Sequence, residues 1–151
     1  MESIDYAFPQ NLSQHDIRVL ILMLLYAAES FDYKVSLESI AENLNRGLGI
    51  NIPIDGLLFR RAASVIADRE QLDKDIRPLL DKWKMERLGC MTLLIMRLAL
   101  WELKNTDTAP SVILNEAIEL AKEFAEQDAY KFVNGVLDKW VGEHKPAQEK
   151  S

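Results

Sequence analysis

Apolar residues along this chain recur at intervals of three and four, the spacing of one helix face, and nowhere alternate one-in-two over a useful length. Ile17, Leu20, Ile21, Leu24, Leu25 and Ala28 form the first such stripe. Ser13 with Asp16 three residues on resembles a capping box, so the first helix is predicted from about Gln14 to about Phe31. Ser36 can cap a second, short helix with Leu37, Ile40, Ala41 and Leu44 inward. It is predicted to stop at Arg46-Gly47, with Gly47 in the left-handed conformation. Pro53 and Asp55 mark the start of a third helix, whose stripe is Leu58, Phe59, Ala62, Ala63 and Ile66 and whose Arg60, Arg61 and Asp68 lie off it.

The second half continues in the same way. Leu72, Ile76, Leu79 and Leu80 predict a helix that Pro78 either kinks or restarts, because proline lacks a backbone donor. Gly89 then opens a helix that is apolar nearly all round from Met91 to Leu103, the pattern of an element buried on most sides. Asn105 to Pro110 reads as a turn, followed by a stripe of Ile113, Ala117, Leu120, Ala121 and Phe124. A last helix starts near Asp128, taken as its N-cap, and turns Val133, Val136, Leu137 and Trp140 inward. The predicted class is all-α, with six to seven helices and Leu94, Ile95, Leu98, Leu120, Val133 and Leu137 in the core.

Composition narrows the possible functions. With 151 residues, 48% of them hydrophobic, the chain can build one real core. Its 24 acidic against 18 basic residues give a net charge of -6, so binding to nucleic acid has to come from a local basic or aromatic patch. The lone Cys90 has no second thiol to bridge, which fits a reducing cytoplasm, and it is expected as a small buried apolar residue. The acidic Met1-Glu2-Ser3-Ile4-Asp5 is unlike a signal peptide. The greasiest stretches, Val19 to Ala28 and Leu88 to Leu103, read as core helices and not as membrane spans. His15 and His144 lie far apart in sequence with no metal-ligand spacing, and no phosphate-binding glycine loop or Ser-His-Asp set is visible. No cofactor, metal or catalytic activity is expected.

Three blocks in order carry a resemblance. Arg97-Leu98-Ala99-Leu100-Trp101-Glu102-Leu103, then Asn115 to Phe124 (Asn-Glu-Ala-Ile-Glu-Leu-Ala-Lys-Glu-Phe), then Lys131-Phe132-Val133-Asn134-Gly135-Val136-Leu137-Asp138 resemble the signature of the NusB transcription-antitermination family. The resemblance is strong from about Leu72 to Trp140. In the first half it rests on the helix pattern and the Leu25-Tyr26 pair. It implies two three-helix subdomains, about 13–68 and 69–141, between tails 1–12 and 142–151. It also implies a cytoplasmic, non-enzymatic adaptor that pairs with the ribosomal protein doubling as NusE, holds boxA-type single-stranded RNA of ribosomal-RNA transcripts, and meets RNA polymerase indirectly. The residues so implicated are Arg18, Asp128, Lys131, Phe132 and Gly135 for RNA, and Tyr26 and Thr92 for the protein partner. The alternative is a helical scaffold that keeps the partner and has little RNA affinity.

Each of these residues also has a reading of its own. Arg97 in an apolar helix calls for a buried or half-buried partner, with Glu116 or Glu119 as candidates. Phe132 lies at the edge of the last helix's stripe, so it is either core or a stacking surface for an unpaired base beside Lys131. Gly135 within a helix costs about 1 kcal/mol relative to alanine, which points to close packing or to contact with a ligand. Asp128 suits an N-cap. Three features depart from the family: in Gln14-His15-Asp16-Ile17-Arg18 only Arg18 remains of an arginine cluster, Thr92-Leu93 replaces a charged pair, and Pro110 lies one residue closer to Val112 than usual.

Overall fold

The computed structural model describes residues 12–82 and 84–145, and over these it is helical throughout, with no strand. Seven α-helices follow in order: α1 Gln14–Ser30, α2 Leu37–Leu48, α3 Leu57–Ala67, α4 Arg69–Ile76, α5 Cys90–Asn105, α6 Pro110–Phe124 and α7 Ala129–His144. Short 3-10 turns at Arg77–Leu80 and Met85–Arg87 bridge α4 to α5. The chain divides into two compact units between Ala67 and Asp68. Of the tails predicted over 1–12 and 142–151, residues 1–11 and 146–151 lie outside the described residues, while 142–144 form the last turn of α7.

In the first unit α1 packs against α2 and α3. The Asp16 N–H donates to Ser13 Oγ at 3.0 Å, which satisfies one of the donors a helix start leaves open. Ser36 caps α2 in the same way through the Ser39 N–H. Ile21, Leu22, Leu24, Leu25 and Ala28 of α1 are buried with Ile40 and Ala41 of α2 and Leu58, Phe59, Ala62 and Val65 of α3. The end of α2 falls two residues later than the sequence pattern suggested. Gly47 stays helical, while Gly49, at φ 67°, takes the left-handed position that favours glycine. The carbonyl of Asn45 accepts from the Ile50 N–H there, and its side-chain oxygen accepts from the Ile52 N–H at 2.7 Å, so one residue ties down the turn.

The second unit is built around α5, which contacts α4, α6 and α7. Leu94, Ile95, Leu98, Leu120, Val133 and Leu137 are all buried, as the stripes required. Pro78 ends α4 and sits in the first turn of the following 3-10 segment, where its missing N–H leaves no gap. Pro110 likewise opens α6.

Arg97 is 7% exposed, and Asp73 of α4 holds it with two hydrogen bonds, Nε to Oδ1 and an Nη to Oδ2, each 2.8 Å. This bidentate partner lies 24 residues back in the chain and is one the sequence pattern did not name. Next to it, burial pushes the Asp75 carboxyl up, but hydrogen bonds from Lys104 and Gln71 outweigh this, with help from the charges of Lys104 and His144. The net pKa is below 3.8.

Two assignments along the stripes are corrected. Cys90 is exposed, because it is the first residue of α5 and the enclosed stretch of that helix begins two residues later at Thr92. Phe124 is 42% exposed, because as the last residue of α6 it has helix on one side only.

Candidate functional site

The residues singled out near the C-terminus meet at the start of α7. After α6 ends, the chain turns through 125–128, and Asp128 adopts φ 67°, a left-handed conformation in which its side chain accepts no capping bond. The predicted N-cap role is therefore corrected. Asp128 marks the helix boundary by its backbone, and its carboxylate instead faces Lys131 at 3.9 Å on the open surface. Lys131 and Gly135 are spaced i, i+4 on one face of α7, with Phe132 beside them and Asp128 just before the helix. Val133, Val136, Leu137, Trp140 and Val141 supply the buried side.

On the open face Lys131 is exposed and Phe132 is half-buried. A methyl group built on Gly135 meets nothing within 4 Å, so packing inside the protein does not explain that glycine. The Lys131 ammonium lies 5.9 Å from the centre of the Tyr130 ring and the Lys122 ammonium 4.9 Å from it, which sets two cations around one aromatic.

Phe132 also forms one wall of a groove of about 230 Å³ that includes Arg87, Leu88, Gly89, Thr92, Glu126 and Asp128. Thr92 is only 2% exposed, and its hydroxyl donates to Glu126 Oε1 at 3.0 Å. Thr92 thus has little surface to offer a partner directly, and what it holds toward the groove is the carboxylate of Glu126. Gly89, the residue before α5, leaves room for the Glu126 carboxylate in this position: a Cβ would stand 2.6 Å from one carboxylate oxygen and 2.8 Å from the other.

The first unit holds the other two predicted residues. Tyr26 is 47% exposed on α1 and available as an amphipathic anchor. Arg18 is 5% exposed and already engaged within the protein, so its guanidinium is not an open phosphate contact as the sequence reading expected. Among the described residues no group of three or more His, Cys, Asp or Glu side chains could hold a metal ion, and no helix is long and apolar enough to cross a membrane.

The sequence reading missed Arg87, Glu126 and Tyr130. The run Tyr130-Lys131-Phe132, aromatic on both sides of a base, was a usable signal for the last. Glu126 gave none, since its partner Thr92 is 34 residues away.

Residues 15–141 match the model of the NusB family. The chain is 34% identical over 134 residues to the transcription antitermination protein NusB of Macrococcus caseolyticus, which covers 86% of this chain and 97% of that protein. It is 34% identical over 138 residues to its counterpart in Ligilactobacillus salivarius, covering 87% and 99%. The solved structure of T. maritima NusB superposes with a TM-score of 0.78 at 28% identity, over 93% of this chain and 98% of that one. A family match over most of the length, two relatives of the same name and a shared fold agree: the chain belongs to the NusB family of transcription antitermination proteins, which are not enzymes.

Proposed function

We propose that this chain is an RNA- and protein-binding adaptor in antitermination. With a NusE-type small-subunit ribosomal protein it holds boxA-type single-stranded RNA of a ribosomal-RNA transcript while RNA polymerase elongates, in the cytoplasm. The observation that carries this reading is the open face of α7. There a lysine, a half-buried phenylalanine and a glycine lie off the stripe that α7 buries. An unstacked base needs an aromatic surface and a nearby cation, and a backbone free of side chain lets the strand approach closely. Tyr26 offers the protein partner an exposed aromatic anchor.

A net charge of -6 repels a phosphate chain, and the burial of Arg18 removes one more cation. The isolated protein is therefore expected to bind weakly, and the partner to supply positive charge. These same two observations favour the second reading, a scaffold of this fold that keeps the partner and has little RNA affinity of its own.

Titration of a boxA-type RNA by fluorescence anisotropy, with and without the NusE-type protein, separates the two. Stacking on an aromatic contributes about 1–3 kcal/mol per base, so Phe132→Ala is expected to weaken binding by the complex about tenfold or more. Lys131→Ala is expected to flatten the dependence on salt. Unchanged affinity in both variants, with helicity intact by circular dichroism, would leave the scaffold as the better account.

A further inference from the structure

The groove beside Phe132 contains chemistry that simple stacking does not use. Phe132, Leu88 and Ala129 line it with apolar residues, and Arg87 and Glu126 line the same space. The Glu126 carboxylate is held in place: one oxygen accepts the Thr92 hydroxyl at 3.0 Å, and both oxygens occupy the room that Gly89 leaves by lacking a Cβ. The carboxylate keeps further lone pairs on Oε1 and all of Oε2 for a ligand, and when ionised it can only accept hydrogen bonds.

We propose that this groove is a guanine-reading subsite, with Glu126 and Arg87 as its specificity-determining residues. The inference rests on the RNA-binding reading and deepens it. A carboxylate matches two adjacent N–H donors, and guanine offers such a pair in its ring N1–H and its exocyclic amine. A guanidinium matches two adjacent acceptors, and guanine offers these as O6 and N7. Cytosine and adenine each set an acceptor next to their amine. Uracil flanks its single N–H with two carbonyl oxygens that a carboxylate repels. With Phe132 against the base's face, guanine is the base that satisfies both charged groups at once.

The test uses the complex with the NusE-type protein and single-stranded oligouridylates that carry one central guanosine, cytidine, adenosine or no substitution. Affinities are read by anisotropy. The guanosine oligomer is expected to bind about tenfold or more tighter than the all-uridine one. Glu126→Gln keeps one acceptor, places a donor beside it, and is expected to bring that ratio close to unity. Gly89→Ala displaces the carboxylate through the flexible end of its side chain, so the fold survives, and is expected to lower the ratio in the same direction. Arg87→Ala weakens the guanosine oligomer more than the uridine one.

Equal affinity for guanosine and uridine oligomers in the unaltered protein overturns the inference and leaves the RNA-binding reading standing. So does a guanosine preference that survives Glu126→Gln. If none of the oligomers and no boxA-type RNA binds the complex, the RNA-binding reading falls, and this inference with it.

Discussion

Helices α5 and α7 are both 16 residues long, and they use their polar residues in opposite ways. In α5 the polar residues Thr92, Arg97 and Glu102 are buried, and the two whose contacts are described meet partners from other elements: Glu126 for Thr92, Asp73 for Arg97. In α7 Lys131, Asn134, Gly135 and Asp138 stay exposed, while a stripe of Val133, Val136, Leu137 and Trp140 completes the core without them. Family resemblance covers both helices equally, but the physics divides them. A charge enclosed by apolar neighbours is explained by the fold it holds together, whereas the open face of α7 lies off the buried stripe. That contrast is why the candidate site is placed on α7 and Arg97 is read as architectural.

The contrast breaks most directly in the core. Leu120→Ala, at a position 1% exposed, is expected to cost about 2 to 5 kcal/mol by leaving a cavity among α5, α6 and α7. Urea denaturation measures this, and an unshifted midpoint would show that the residue does not carry the packing assigned to it. Next in size, Asp73→Ala removes two charge-assisted hydrogen bonds from the nearly buried Arg97 and is expected to cost about 2 kcal/mol. If the architectural reading is right, this loss appears in stability, and the ratio of RNA affinities between boxA-type and unrelated sequences stays as it was.

The helices were legible because their stripes were regular: Ile17 to Ala28, Met91 to Leu103 and Val133 to Trp140 each announce a buried face without tertiary knowledge. Ends were harder. Gly47 and Gly49 were both available to finish α2, and only the closing hydrogen bond to Asn45 decides for Gly49. Asp128 was recognised as a boundary, but whether it caps by side chain or by a left-handed backbone depends on the turn before it. Long-range partners were not legible. Nothing near Arg97 in sequence points to Asp73, and nothing near Thr92 points to Glu126, so the groove at the start of α7 came into view only once those helices were packed. The burial of Arg18 was hidden for the same reason: one polar residue beside an apolar stripe can lie on either side of its edge.

Gly135 sharpens the comparison because stability and function are expected to move in opposite directions. With open space around its Cα, Gly135→Ala meets no clash and gains helix propensity, so it is expected to stabilise the protein by about 1 kcal/mol. If the RNA strand passes close to this backbone, the same methyl group weakens binding by the complex. A variant that melts higher and binds RNA less well would identify Gly135 as a contact position. One that melts higher and binds equally well would show that the strand runs elsewhere on α7.

The smallest expected effect lies at the far end of the same helix, in the pH dependence of stability. Asp75 of α4 accepts from Lys104 of α5 at 2.5 Å and from Gln71 at 3.1 Å, and the charge of His144 at the end of α7 adds to the attraction. Burial alone would raise its pKa, and these interactions outweigh it, so the folded-state value lies below 3.8. A carboxylate with a depressed folded pKa binds protons more readily when the chain is unfolded. Its contribution is therefore fully present above 3.8 and is lost as pH falls through the lower, folded value. Because the pair is partly open to solvent, with side chains 32% and 25% exposed, salt and water weaken it and the gain is small. Asp75→Asn is expected to lower the urea midpoint slightly at about pH 7, and the difference from the unaltered protein is expected to shrink as pH falls below 3.8. A difference that persisted undiminished in acid would mean that Asp75 contributes through packing or neutral hydrogen bonds, and that the electrostatic tie between α4 and α5 has no measurable weight.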